Sequence, residues 1–219
     1  MNLTRRNVSR SLAVLVFTVS AGLTASPATA QMNGMNMPAQ GQGKPPLSPA
    51  AKAETTLNGK KITVDYSAPS MRGRKIMGEL VPFDKVWRTG ANAATTLTTE
   101  ADISISGANG GGVLKVPAGK YTLYTLPAAP GKPWLLIVNK QTGQWGTVYN
   151  ADQDLGRVPM RSGSLPAPQE TMSITFERTV KYSTWMHIKW ENTDEWVSIV
   201  DAKDMPPIGG MAPNGGMKQ

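Results

Sequence analysis

The sequence predicts an all-β fold: an antiparallel, jelly-roll-like β-sandwich of roughly eight to ten strands with one long basic loop. Three observations carry that expectation. Apolar and β-branched residues recur with a period of two, turn residues separate the segments, and no stretch has a convincing helical period.

Taken in chain order, "KKITVDYS" at 60–67 alternates Ile62, Val64 and Tyr66 against Thr63 and Asp65, as a half-buried strand does. It follows "AETTLNGK", where Asn58-Gly59 between two such runs is a strong hairpin signal. "ATTLTTE" and "DISISG" come next, then the glycine-rich "GANGGG" at 107–112 and "GVLKV". "GANGGG" lacks the Gly-Lys-Ser/Thr ending of a phosphate loop and enters no helix, so it reads as a hairpin loop. "GKYTLYTL" and "PWLLIVNK" form a further pair, the second apolar enough to be buried on both faces. "ETMSITFE", "YSTWMHIKWEN" and "EWVSIVD" complete the sandwich, which spans residues 50–202.

The flanks have a different character. Arg5, Arg6 and Arg10, the apolar run Ser11 to Leu23 and the small residues Ala28-Thr29-Ala30 make residues 1–30 a secretory signal peptide, cleaved near Ala30. The apolar run is shorter than the roughly 20 residues a membrane span needs, so no stable membrane insertion is expected. Thr4-Arg5-Arg6-Asn7-Val8 partly matches a twin-arginine signal, which leaves both the general and the twin-arginine route open. The expected location is periplasmic or secreted. Residues 31–49 and 203–219 are rich in Gly, Pro and Met and read as a flexible linker and a disordered tail.

Composition excludes several chemistries. The chain has no cysteine, hence no disulfide, thiolate metal site or cysteine nucleophile. Its net charge of +8 includes three signal arginines, and the remaining mild excess favours anionic partners. Basic blocks and aromatic-basic motifs are missing, so nucleic acid is not an expected partner.

The segment from Ser67 to Asn92, "SAPSMRGRKIMGELVPFDKVWRTGAN", breaks the strand rhythm. Loops beyond roughly 12–15 residues are uncommon in compact domains and usually functional. A short helical turn is expected near Ile76 to Leu80. Arg72, Arg74, Lys75, Lys85 and Arg88 outnumber Glu79 and Asp84 here.

"DYSAPSMRGRKIMGELVPFDKVWRTGANAATTL", with "VPAGKYTLYTLP" and "WLLIVNKQTGQWGT", resembles a family of exported bacterial proteins catalogued as domain of unknown function number 2911. The resemblance covers roughly residues 48–200 and implies a β-rich, exported domain. The family's motif positions fall on Arg74, Trp87, Arg88, Gly90, Asn92 and Thr95, none with an assigned role, so no catalytic residue and no cofactor come with it.

Within "KVWRTGAN", two readings compete. In one, Arg88 offers a planar fork to an anion, Asn92 adds an amide and Trp87 a stacking face. In the other, which loop-pinning arginines make the commoner, Arg88 bonds orphan carbonyls of the loop while Trp87 fills the sandwich end. In an extended segment Trp87 and Arg88 point opposite ways. Six tryptophans exceed what the core needs. Trp145, in the turn "GQWGT", is expected to be exposed, and Trp185 to lie on an outer face. The candidate ligand-binding residues are therefore Arg74, Trp87, Arg88, Asn92, Trp145 and Trp185.

His187, the single histidine, alternates with Met186, Ile188 and Trp190 and reads as a plain surface residue beside Trp185 and Lys189. It makes a poor metal ligand, and no Gly-x-Ser-x-Gly turn accompanies it to support a triad. Asp65, Glu100 and Asp102 near strand ends read as solubilising acids. No metal and no cofactor are expected in the domain. Met32, Met35 and Met37, with Met205, Met211 and Met217, supply soft thioethers of the kind that bind copper(I). The expected function is a non-catalytic binding or structural domain of the cell envelope, recognising a glycan or small anionic ligand; its oligomeric state stays open. The alternatives are a hydrolase-like enzyme clamping an anionic substrate with Arg74 and Arg88, and copper(I) binding by the tails.

Overall fold

The computed structural model describes residues 47–108 and 112–204. Residues 1–30, with the signal peptide expected there, and most of both Met-rich flanks, with the copper(I) alternative that rests on them, lie outside the described residues.

Among the described residues ten antiparallel strands form two sheets. The six-stranded sheet has the order β1 (Ala50–Leu57), β2 (Lys60–Ser67), β3 (Thr95–Thr99), β6 (Gly119–Leu126), β7 (Leu135–Asn139) and β8 (Asp154–Pro159). The four-stranded sheet runs β5 (Val113–Val116), β4 (Ile103–Ser106), β10 (Ser183–Asp201) and β9 (Arg161–Glu177). Two short 3₁₀ turns, Ala151–Gln153 and Ala202–Asp204, are the helical elements among the described residues. No helix among the described residues is long and apolar enough to cross a membrane.

The hairpin at Asn58-Gly59 is a turn with both φ angles positive, 48° and 77°, closing Leu57 against Lys60. Period-two alternation then places Ile62 and Val64 of β2 in the core, beside Leu97, Leu123, Leu136 and Val138 from neighbouring strands. The second sheet contributes Ile103, Ile105, Met186, Ile188, Val197 and Ile199. β7 is buried on both faces. Residues 141–150 are fastened to β6 and β7 by their carbonyls, which accept from Thr122 Oγ1 and Tyr124 Oη of β6 and Asn139 Nδ2 of β7.

The two sheets meet closely at Gly107. A Cβ there would stand 1.6 Å from Pro159 O, and Ala108 N–H donates to the same oxygen at 2.9 Å. Gly107→Ala must therefore move backbone, and its expected cost is about 3 kcal/mol, the upper end of overpacking penalties. The check is a lowered urea midpoint at unchanged m-value.

β10 doubles back on itself. Nineteen extended residues reach about 60 Å, yet Asp201 N–H donates to Tyr182 O at 2.9 Å. The reversal falls at Glu191, whose φ is 54°. It brings Asp194 and Trp196 over His187, with Nδ1 2.8 Å from Asp194 Oδ1 and the Trp196 ring stacked 5.3 Å away.

The long loop has no helix. At the expected helical turn, Gly78 N–H donates to Val81 O and Val81 N–H to Ile76 O, a tight reversal that buries Ile76 and Val81. The Glu191 carboxylate accepts from the backbone N–H groups of Ile76 and Met77, at 3.2 and 3.0 Å, and fixes the loop to the β10 bend. The loop's first part pairs with β9 at Ser70 and Thr171, and its last part with β6 at Trp87 and Thr125. It thus ties both sheets together.

Candidate functional site

Arg74 satisfies carbonyls of the loop, and Arg72 ties the loop to the segment before β1. Arg74 donates from Nε to Met71 O at 2.9 Å and from Nη2 to Ser70 O at 2.8 Å. Arg72 donates from Nη2 to Leu47 O at 2.6 Å. Arg88 does neither. Its Nε is buried with no hydrogen-bond partner, and no carboxylate among the described residues pairs with its guanidinium. Burial lowers its pKa from the ordinary arginine value, the direction expected of a desolvated cation. The loop-pinning role weighed for Arg88 thus belongs to Arg72 and Arg74.

The local chain explains how Arg88 comes to be held. Trp87 exchanges both backbone hydrogen bonds with Thr125, at 2.7 and 2.9 Å. Thr89 then takes a φ of 56°, ending the extended path. Its carbonyl accepts from Thr95 Oγ1 at 2.9 Å, and its side chain is fully buried against Thr125. Gly90 is required for close approach, since a Cβ would meet Ser67 O at 3.0 Å and Thr95 Oγ1 at 3.1 Å. Beyond it, Asn92 O accepts from Gly146 N–H at 3.1 Å. A Cβ on Gly146 would stand 2.1 Å from Arg88 Cδ, so the arginine stem lies across that glycine.

Trp87 and Arg88 line one cleft of about 270 Å³, together with Arg74, Leu80, Val81 and Trp190. The opposed orientation expected of an extended segment does not keep them apart, since both line this cleft. Trp190, 2% exposed, stacks on Trp87 with ring centroids 6.0 Å apart and planes 19° from parallel. Two cations and an aromatic wall therefore converge, and none of the residues lining the cleft is a carboxylate or a histidine.

The remaining sequence candidates lie outside this cleft. Asn92 is exposed, with Nδ2 donating to Ser48 O at 3.4 Å. Trp145 is 57% exposed and bridges to Ala93, one residue from the glycine under Arg88. Trp185 belongs to another face, where Arg178 sits over its ring at 4.3 Å and Trp196 stacks on it.

His187 requires a correction. It lies on the outer face with Trp185 and Lys189 but is 5% exposed, covered by the returning half of β10. Its Nε2 stands 3.8 Å from Glu177 Oε2, in ion-pair range but too far for a hydrogen bond. Glu177 pairs instead with Lys189, which holds its carboxyl below the usual range. Among the described residues no group of three or more His, Asp or Glu side chains is arranged to hold a metal ion.

One residue was missed by sequence reasoning. Glu195 is 3% exposed, with Oε2 accepting from Ser162 Oγ at 2.8 Å. Burial, helped by neighbouring Asp194 and opposed by the Ser162 bond, pushes its pKa up to about 7. Its phase with Val197 and Ile199 in "EWVSIVD" was the available signal, since period two puts all three on the inner face.

No curated protein and no solved structure gives a significant match to the chain. The family model described as Protein of unknown function (DUF2911) matches residues 48–199, from just before β1 to within two residues of the end of β10, and the chain belongs to that family.

Proposed function

We propose that this is an exported, non-catalytic binding domain whose Arg74/Arg88 cleft takes a small anionic ligand: a carboxylate, a phosphate or an acidic sugar. The observation that carries the reading is Arg88 itself, a half-buried arginine whose buried Nε lacks a partner. An unpaired buried donor is costly, and a charged one more so. A ligand oxygen would satisfy it with a charge-assisted bond, and the planar fork suits two-oxygen groups. Arg74 spends two donors on the loop backbone, so it serves as frame and as second positive charge. The stacked Trp87 and Trp190 provide an apolar wall for the ligand's body. The exposed Trp145 beside this segment is the platform a sugar ring would use.

A hydrolase-like role finds no support in the cleft, because a general base must stand within hydrogen-bond reach of its target and no acid or histidine lines it. The test is tryptophan emission of the purified protein during titration with phosphate, citrate, glucuronate and neutral glucose. An anion should change the emission saturably, Trp87→Phe should remove most of the change, and glucose alone should do nothing. Identical, non-saturating responses to all four would sink the reading.

A further inference from the structure

A second recess, of about 350 Å³, opens on the other side of the same loop. Met77 and Phe83 of the loop and Trp134 form its apolar side, while Ser162, Thr193 and Glu195 form its polar side. The volume lies at the lower end of small-molecule sites.

Glu195 is the unusual component. Carboxylates are rarely buried unless paired, yet no Lys, Arg or His among the described residues lies in ion-pair range of this one. Ser162 bonds Oε2, and no protein donor among the described residues bonds Oε1. Lys132, from the segment between β6 and β7, is the other charged side chain lining the recess, and it forms no ion pair with Glu195. Asp194, next along β10, adds negative potential at Glu195. Ser162 and Ser164 from β9, Met77 and Phe83 from the loop and Trp134 bring no titratable group.

We propose that this recess is a binding site for a small organic cation, an amine or ammonium compound with an apolar body. The ammonium would occupy the free side of the Glu195 carboxylate, and the apolar part would lie against Phe83 and Trp134, whose ring faces attract cations. Desolvation strengthens such a pair, since opposite charges interact more strongly away from water. The carboxylate must be ionised to bind. Because burial holds Glu195 at a pKa of about 7, cation binding is linked to proton release and weakens as pH falls through neutrality.

The probe is benzylamine, with benzyl alcohol as its neutral isostere, read by calorimetry and by tryptophan emission. Wild-type protein at pH 8 should bind benzylamine and discriminate against benzyl alcohol by 10-fold or more. At pH 5.5 the same protein should bind benzylamine roughly 30-fold more weakly, following the ionised fraction of Glu195. Glu195→Gln, a neutral and nearly isosteric change, should lose the preference for the amine and the pH dependence. Its response to anions at the Arg88 cleft should be unchanged, which separates failure here from failure there. Equal binding of amine and alcohol, affinity independent of pH in wild type, or full benzylamine binding by Glu195→Gln would each overturn the assignment. The pH arm uses wild type alone, so the result does not depend on how the variant folds.

Discussion

Replacing Trp190 with alanine is expected to destabilise the domain by about 4 kcal/mol, within the range for buried aromatic truncations. Three losses combine. The side chain is 2% exposed and among the largest fully buried ones, so its removal leaves a void between β10 and the loop. Its stack with Trp87 goes, a contact worth about 1 kcal/mol beyond burial. Glu170 O also loses the indole N–H that donates to it at 3.2 Å. The melting temperature should fall by roughly 8–16 °C. Trp190→Phe should recover more than half of the loss, because most of the buried volume and the stacking face remain. Paired thermal and urea melts of the two variants check both statements, and a Trp190→Ala loss near 1 kcal/mol would show that the ring carries little packing.

The second large effect concerns pH. Glu195 in the folded domain has a pKa raised from 4.5 to about 7 by burial. A raised acid binds its proton more tightly folded than unfolded, so between those values the folded state holds more protons. Its contribution is most favourable below the unfolded pKa and is lost as pH rises to the folded one. The difference is about 3 kcal/mol between pH 4.5 and 8. Glu195→Gln should flatten this dependence. At pH 8 the variant should melt roughly 6–12 °C above wild type, and near pH 4.5 the two should nearly coincide. Subtracting variant from wild-type curves isolates the group from other titrations, notably Glu177, whose pKa Lys189 lowers.

How far the sequence revealed this fold depends on strand position. Central strands declared themselves: β2, β6 and β7 carry alternation or a continuous apolar run, and Asn58-Gly59 marks its hairpin. β8 and the first half of β9 did not. Gly156, Pro159, Gly163, Pro166 and Pro168 erase strand propensity there. Both strands sit at sheet edges, where one side of the backbone has no partner strand and proline is tolerated. The β10 reversal was hidden for a related reason, since Glu191 adopts positive φ without the usual glycine.

The candidate site was legible in part. Residue types brought Arg74, Trp87 and Arg88 forward, and the fold gathers them in one cleft. The division of labour among the arginines was not readable, because it depends on which loop carbonyls each stem reaches. Arg74 reaches two of them, Arg72 reaches Leu47 O ahead of β1 instead, and Arg88, lying across Gly146, reaches neither. Trp190 entered the site from the far end of the chain, which local patterns do not encode. His187 misled because alternation reports which face a residue occupies and not what covers it.

The most direct measurement is the melting temperature of wild type beside Arg88→Ala, with and without phosphate, citrate and glucuronate. Arg88 makes no protein hydrogen bond through Nε and is desolvated, so Arg88→Ala should melt within about 2 °C of wild type when no ligand is added, a difference of up to roughly 1 kcal/mol. A bound anion at 100 times its dissociation constant adds about 2.7 kcal/mol, raising wild type by roughly 5–10 °C and leaving the variant unmoved. An Arg88→Ala protein that melts many degrees lower without ligand, while every anion shifts both proteins equally, would make Arg88 a structural anchor and contradict the account.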